Sequence, residues 1–284
     1  MQNFKKIISF LLSLVLILSC VPMAHAAGEK TYCAYGHTSH SGITCDAEMI
    51  TWNPWEDNTS LPTTGNYYLT EDVTISSACS PSGLNLDLNG CNITRTLSSS
   101  STGSACNVFS VATGKSFLLT DTNAERTGIV SVSFGESASV GNSTLGKIVK
   151  VSPNATMKLY GGIIDGSNII GNTKNNVTNA TINVENGTDK NDAAFYMYGG
   201  KVIGFHNYNE ANGTKTYYNG SAIIARSGTT LEICGGEVVG GTSKNGACIY
   251  SNTNNTRTNN TRTSVCCSNT YFHYWKFQWL EWRC

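Results

Sequence analysis

Four residues near the N-terminus carry side chains that could hold a metal ion: Cys33, His37, His40 and Cys45, spaced Cys-x3-His-x2-His-x4-Cys. Two thiolates and two imidazoles form a donor set that zinc takes in a tetrahedron, and ligands this close in sequence can come from one loop. The spacing is not that of a standard zinc finger, and no second half-site accompanies it. A Cys33–Cys45 disulfide flanked by two solvated histidines asks less of the sequence, and that simpler reading is favoured over the metal. No other cofactor is indicated.

Two further stretches suggest chemistry and then withdraw it. The segment Gly162-Ile163-Ile164-Asp165-Gly166 places a carboxylate between strand-like residues. Glycoside hydrolysis needs two carboxyl groups a few ångströms apart, one as acid and one as base or nucleophile. The parallel positions in the neighbouring repeats are Ile203 and Val239, so Asp165 reads as a turn residue. A lyase would need clustered aspartates for calcium beside a basic residue, and the strands show no such cluster. Leu61-Pro62-Thr63-Thr64-Gly65 matches a sortase signal, but it lies near the N-terminus and runs into a strand-like segment, so it reads as a turn. No catalytic residue is assigned.

Ligand binding is better served by tyrosines. When the repeats described below are superposed at their Gly-Gly pairs, Tyr160, Tyr198 and Cys234 form one outward column. Lys158, Tyr196 and Glu232 form the column beside it. Aromatic faces along a rigid wall suit sugar rings, which makes Tyr160, Tyr196 and Tyr198 the candidate ligand-binding residues. The plainer alternative is that these tyrosines only cover the wall.

The element that must position them is a repeat. Gly146–Gly166 aligns without gaps against Gly220–Gly240, sharing Thr-Met/Leu-x-Leu/Ile-x-Gly-Gly-x-Ile/Val-x-Gly. Phe195–Gly204 is a third copy of its core, Val108–Thr120 a weaker relative, and Gly246–Tyr250 the start of a last one. Alternation with period two inside each copy predicts short strands, with Met157, Leu159, Phe195, Met197, Leu231 and Ile233 pointing inward. One copy cannot bury its apolar face alone, whereas stacked copies share a continuous core. The predicted fold is all-β, a right-handed parallel β-helix, with residues 171–192 and 205–219 as loops bulging from one corner.

The coils Leu84–Ile93 and Leu159–Gly166 resemble those of the pectin-lyase-like β-helices in large surface proteins of gut Firmicutes. Thr51–Trp55 and Leu61–Thr70 are similar to the lead-in of those proteins. The resemblance spans roughly residues 30–250, rests on pattern, and implies architecture and location more than activity.

Export is expected from the N-terminus. Lys5 and Lys6 precede an apolar run from Ile7 to Leu18, and Ala24-His25-Ala26 supplies a small-x-small cleavage site. The expected organisation is a signal peptide at 1–26, a Cys/His segment at 27–50 and a strand-rich cap at 51–105. Coils follow at 106–250, and a low-complexity, aberrant tail at 251–284. That tail, with Trp275, Trp279, Trp282 and three cysteines, is either a capping segment or a sign that the chain is a fragment of a longer protein.

The signal holds two of the 19 basic residues and none of the 19 acidic ones, so the remainder is slightly acidic. Nothing in that balance points to nucleic acid, and no second apolar stretch could span a membrane. The expected function is non-catalytic: a secreted or cell-surface protein in adhesion or carbohydrate binding, with a polysaccharide, a host glycan or a cell-wall glycan as partner. A polysaccharide lyase or glycoside hydrolase with acids converging from loops is the alternative.

Overall fold

The computed structural model describes residues 28–97, 106–134, 147–171, 180–187, 193–217, 221–226, 228–241, 248–252 and 262–265. Every regular element among them is a β-strand. The expected signal peptide, and most of the expected tail, lie outside the described residues.

β1 (Lys30–Cys33) and β2 (Met49–Trp55) pair antiparallel, with Lys30 opposite Trp52. The chain then begins to wind through β3 (Gly65–Leu69) and β4 (Val73–Ile75). A turn of three strands follows: β5 (Leu84–Asp87), β6 (Ile93–Leu97) and β7 (Phe109–Val111). The next is β8 (Ser116–Thr120), β9 (Ile129–Phe134) and β10 (Val149–Val151). After it come β11 (Thr156–Leu159), β12 (Ile163–Asp165), the short β13 (Ile170–Gly171) and β14 (Ala180–Val184). Then β15 (Ala194–Met197) and β16 (Lys201–Ile203) lead through the strands β17 (His206–Ala211) and β18 (Thr214–Tyr217) to β19 (Ser221–Arg226). The described chain closes with β20 (Thr230–Ile233), β21 (Glu237–Val239), β22 (Ile249–Asn252) and β23 (Arg262–Val265).

Corresponding strands of successive turns pair in parallel and make three walls. The first is a nine-stranded sheet in the order β1-β2-β3-β5-β8-β11-β15-β20-β23. The second is six-stranded, β21-β16-β12-β9-β6-β4, and the third five-stranded, β22-β19-β14-β10-β7. The protein is a parallel β-solenoid. Residues 51–105, expected as a cap, carry strands that already pair in parallel within these walls: β3 with β5, β5 with β8, and β6 with β9.

Alternation decides which side chains fill the interior. In the first wall Leu84 pairs with Phe117, Phe117 with Met157, Met157 with Phe195 and Phe195 with Leu231. All five are buried. A second inward column runs Leu86, Leu119, Leu159, Met197, Ile233. Ile164, Val202 and Val238 do the same for the second wall, and Val149, Ile182 and Ile223 for the third. Parallel strands also let each backbone group find a partner in the turns above and below. The six residues expected to point inward all do so.

Gly-Gly marks the corner between the first two walls. A Cβ on Gly199 would stand 2.3 Å from the Tyr160 carbonyl oxygen of the turn beneath, so only glycine admits that approach. Its neighbour Gly200 has φ +79°, which turns the chain into β16.

Two expected loops fold differently. Residues 180–184, placed in a bulging loop by the sequence reading, are β14, and all five are buried. The Asn- and Thr-rich surroundings masked the alternation of Ala180, Ile182 and Val184. Within 205–219, β17 and β18 form an antiparallel hairpin, with Tyr208 opposite Tyr217. At the far end β23 pairs with β20, so part of the expected tail continues the first wall. No helix among the described residues is long and apolar enough to cross a membrane.

Candidate metal centre and the adjoining groove

β1 carries Cys33 to the outer face of the first wall and buries it completely. The chain reverses there: the Gly36 amide donates to the Cys33 carbonyl at 2.8 Å, and the Cys33 amide donates to the His37 carbonyl at 3.0 Å. Gly36 sits at φ +88°, a conformation that L side chains resist. From this turn, residues 34–48 form a clasp lying on the solenoid.

The clasp is anchored by side chains of the first wall and of the connection between β8 and β9. The Thr120 hydroxyl donates to the Ala34 carbonyl at 2.6 Å, and the Arg126 guanidinium donates to the Tyr35 carbonyl at 3.5 Å. On β1, the Tyr32 hydroxyl donates to the buried Asp87 carboxylate at 2.6 Å. Asp87 also accepts from the Asn89 amide and from the amide and hydroxyl of Thr122, so its charge is well satisfied. Trp52 Nε1 donates to the Tyr32 carbonyl at 3.0 Å and stacks on the Tyr32 ring.

Within the clasp, the candidate ligands converge. One donor atom from each of Cys33, His37, His40 and Cys45 can be chosen so that all lie within 4.8 Å of one another. The two sulfurs are 3.8 Å apart, well beyond the ~2.05 Å of a disulfide. Both cysteines are free thiols here, so the disulfide favoured from sequence is not formed in this structure. His40 Nε2 is shut off from solvent with no hydrogen-bond partner. A buried nitrogen in that state is costly unless something else uses its lone pair or proton. Cys33 is buried and His37 exposed, so the cluster faces solvent on one side. The cluster could hold a metal ion.

The tyrosines take the columns expected of them, with one correction. Lys158, Tyr196 and Glu232 are adjacent partners along the first wall. Tyr160 and Tyr198 stack with ring centroids 4.8 Å apart, and the Tyr198 and Tyr196 rings lie nearly parallel with centroids 6.3 Å apart. Tyr160, expected outward, is only 7% exposed because the clasp covers it: Cys33, Ala34 and Ala47 pack with it, and Tyr35 meets its ring edge to face. Tyr196 and Tyr198 remain half-buried. Sequence reasoning missed this cover. The small apolar residues Ala34, next to Cys33, and Ala47, two residues after Cys45, were the available signal.

Between clasp and wall runs a groove of about 300 Å³. Asp46 and Glu48 line it from the clasp, and Ile50, Asn85, Lys158 and Tyr160 from the wall. Burial first, and then the Asp46 carboxylate, push the Tyr35 phenol up to about 12. Burial and the neighbouring tyrosines push the Tyr160 phenol higher still, and burial also raises Tyr198. These rings therefore stay neutral at physiological pH. The groove offers an aromatic edge, an amide, an ammonium and two carboxylates, a mixture suited to polar, uncharged ligands rich in hydroxyl groups. Asp165, expected as a turn residue, is instead the last residue of β12, and its carboxylate accepts the Ser167 amide of the following turn at 2.8 Å.

No family model matches this chain, and no curated protein or solved structure shows significant similarity to it. Fold and site together define a parallel β-solenoid carrying a Cys2His2 cluster on an N-terminal clasp.

Proposed function

We propose that this is a non-catalytic secreted or cell-surface protein that binds polysaccharide, from a host or cell-wall surface, on the outer face of its first wall. The observation that carries this reading is the groove beside the stacked tyrosines, where Asn85, Lys158, Asp46 and Glu48 surround one end of an aromatic ladder. A sugar presents C–H faces to a ring and hydroxyls to amides and charges, and this surface offers both within reach. The resemblance to pectin-lyase-like surface proteins and the signal-like N-terminus agree with an extracellular setting. Solenoid walls suit extended chains because identical spacing recurs along them.

The test is direct binding of the purified protein to a panel of polysaccharides. Replacing Tyr196 and Tyr198 by Ala should weaken binding about tenfold per ring, for roughly 1–1.5 kcal/mol of stacking each. Tyr160, being covered, is the wrong residue for that test. Release of reducing or unsaturated sugars would overturn the non-catalytic reading in favour of a lyase or hydrolase.

We infer also that zinc is the ion suited to the cluster. Two thiolates with two imidazoles favour it among common metals, and a tetrahedron with Zn–S bonds of about 2.3 Å sets its sulfurs roughly 3.8 Å apart. The Cys33–Cys45 separation has that value. With all four positions supplied by protein, the role is structural.

A further inference from the structure

We propose that the zinc ion is the fastener that holds the clasp closed on the first wall, so that the groove exists only in the metal-bound protein. This rests on the zinc assignment above, and its link to ligand binding rests on the glycan reading.

The argument starts from where the clasp is tied. Hydrogen bonds from the solenoid reach its first residues, Ala34 and Tyr35. The groove-lining residues Asp46, Ala47 and Glu48 stand at its other end, immediately after Cys45. Between those ends the chain has no strand or helix, and residues 41–44 are all exposed. The β1–β2 ladder, with Cys33 opposite Met49, closes the base of this loop. The chain between is free of regular structure, and ordering it over the wall costs entropy unless a cross-link limits the choice. The cluster is placed to be that cross-link. Cys33 is fixed by β1 and fully buried, Cys45 directly precedes the groove wall, and their sulfurs already lie 3.8 Å apart. His40 Nε2 is buried without a hydrogen-bond partner, and an ion at the centre would give its lone pair one to coordinate.

Two consequences follow from the same geometry. Zinc binding replaces protons on both thiols: each S–H bond is broken, a Zn–S bond forms, and two protons leave to solvent. Closing the clasp also seats Tyr35 on Tyr160 and Ala47 against it, which caps the aromatic ladder and sets its length. A ligand in the groove would then touch no metal and still depend on it.

The experiment uses the full chain, prepared with zinc and after chelation, and reads amide exchange, zinc content and glycan binding on the same samples. The expected result is one zinc per chain. Chelation should accelerate exchange across residues 34–48 at least tenfold while strands β11, β15 and β20 keep their protection, and zinc should reverse the change. Cys45→Ser should mimic chelation, whereas Asp46→Ala should keep zinc and clasp protection yet weaken glycan binding. A chain that takes up no zinc overturns both the assignment and the fastener. Zinc bound stoichiometrically with an equally protected clasp after chelation overturns the fastener alone. Failure of the zinc-loaded protein to bind any glycan defeats the carbohydrate reading, while the exchange data still decide the fastener.

Discussion

Tyr35 meets Tyr160 at an interplanar angle of 87°, with ring centroids 4.8 Å apart. One ring comes from the Cys/His clasp and the other from the wall, so this contact joins the two features that the sequence presents separately. Tyr35→Ala should destabilise the protein by about 1–2 kcal/mol, from lost edge-to-face contact and partial burial. With the cover gone, the Tyr160 phenol should titrate closer to its ordinary value. Denaturant midpoints give the first quantity, and ultraviolet titration of phenolate formation gives the second.

The Gly-Gly corners should tolerate nothing larger. Gly235→Ala would bring a Cβ to 2.5 Å from the Tyr198 carbonyl, and Gly199→Ala would meet the Tyr160 carbonyl still more closely. Each should cost about 2–3 kcal/mol or prevent soluble expression. Gly28→Ala, with nothing within 4 Å of the new atom, should be silent. Thermal unfolding of the three variants side by side tests the corner geometry.

Inward and outward positions on neighbouring strands should differ sharply. Phe195 is fully buried and Lys158 on the neighbouring strand points out. Phe195→Ala should lose about 3–5 kcal/mol, whereas Lys158→Ala should stay within about 0.5 kcal/mol. Equal effects from both would contradict the stacked register.

An acid-sensitive contact lies near the third wall. Glu185 accepts from Lys147 at 3.0 Å and Lys150 at 3.2 Å. Burial alone would raise its pKa, but the two ammonium groups outweigh that and hold it below the ordinary 4.5. Burial in turn pulls the Lys147 ammonium down, and Glu185 offsets it. A carboxyl with a lowered folded pKa stabilises the protein fully above its unfolded value, and that stability is lost as pH falls through the folded one. The unfolding midpoint should therefore drop below pH ~4.5, and Glu185→Gln should flatten that acid limb while lowering stability at neutral pH. Chemical denaturation across that range is the measurement.

Export makes a separate prediction. If Lys5, Lys6, the apolar run and Ala24-His25-Ala26 act as a signal, the mature protein should begin at Ala27. N-terminal sequencing of secreted material decides it, and a chain that retains residues 1–26 would contradict it.

The alternation of Met157, Leu159, Phe195, Met197, Leu231 and Ile233, together with the recurring Gly-Gly, was enough to specify strand, inward face and parallel stacking. A period of two has only one apolar side, and a copy that cannot bury it alone must stack. The same offsets placed Tyr160, Tyr196 and Tyr198 in their columns, and spacing alone singled out Cys33, His37, His40 and Cys45. Tertiary structure decided what those columns face. That the clasp lies over Tyr160 follows from Thr120, Asp87 and Arg126 meeting Ala34, Tyr32 and Tyr35 across the fold, and no local pattern encodes such distant pairs. The strand at Ala180–Val184 was likewise hidden among asparagines and threonines, and its burial comes from pairing with β10 and β19 on either side. Periodicity reports the neighbours a residue has along the chain; cover and convergence depend on neighbours the chain reaches only after winding.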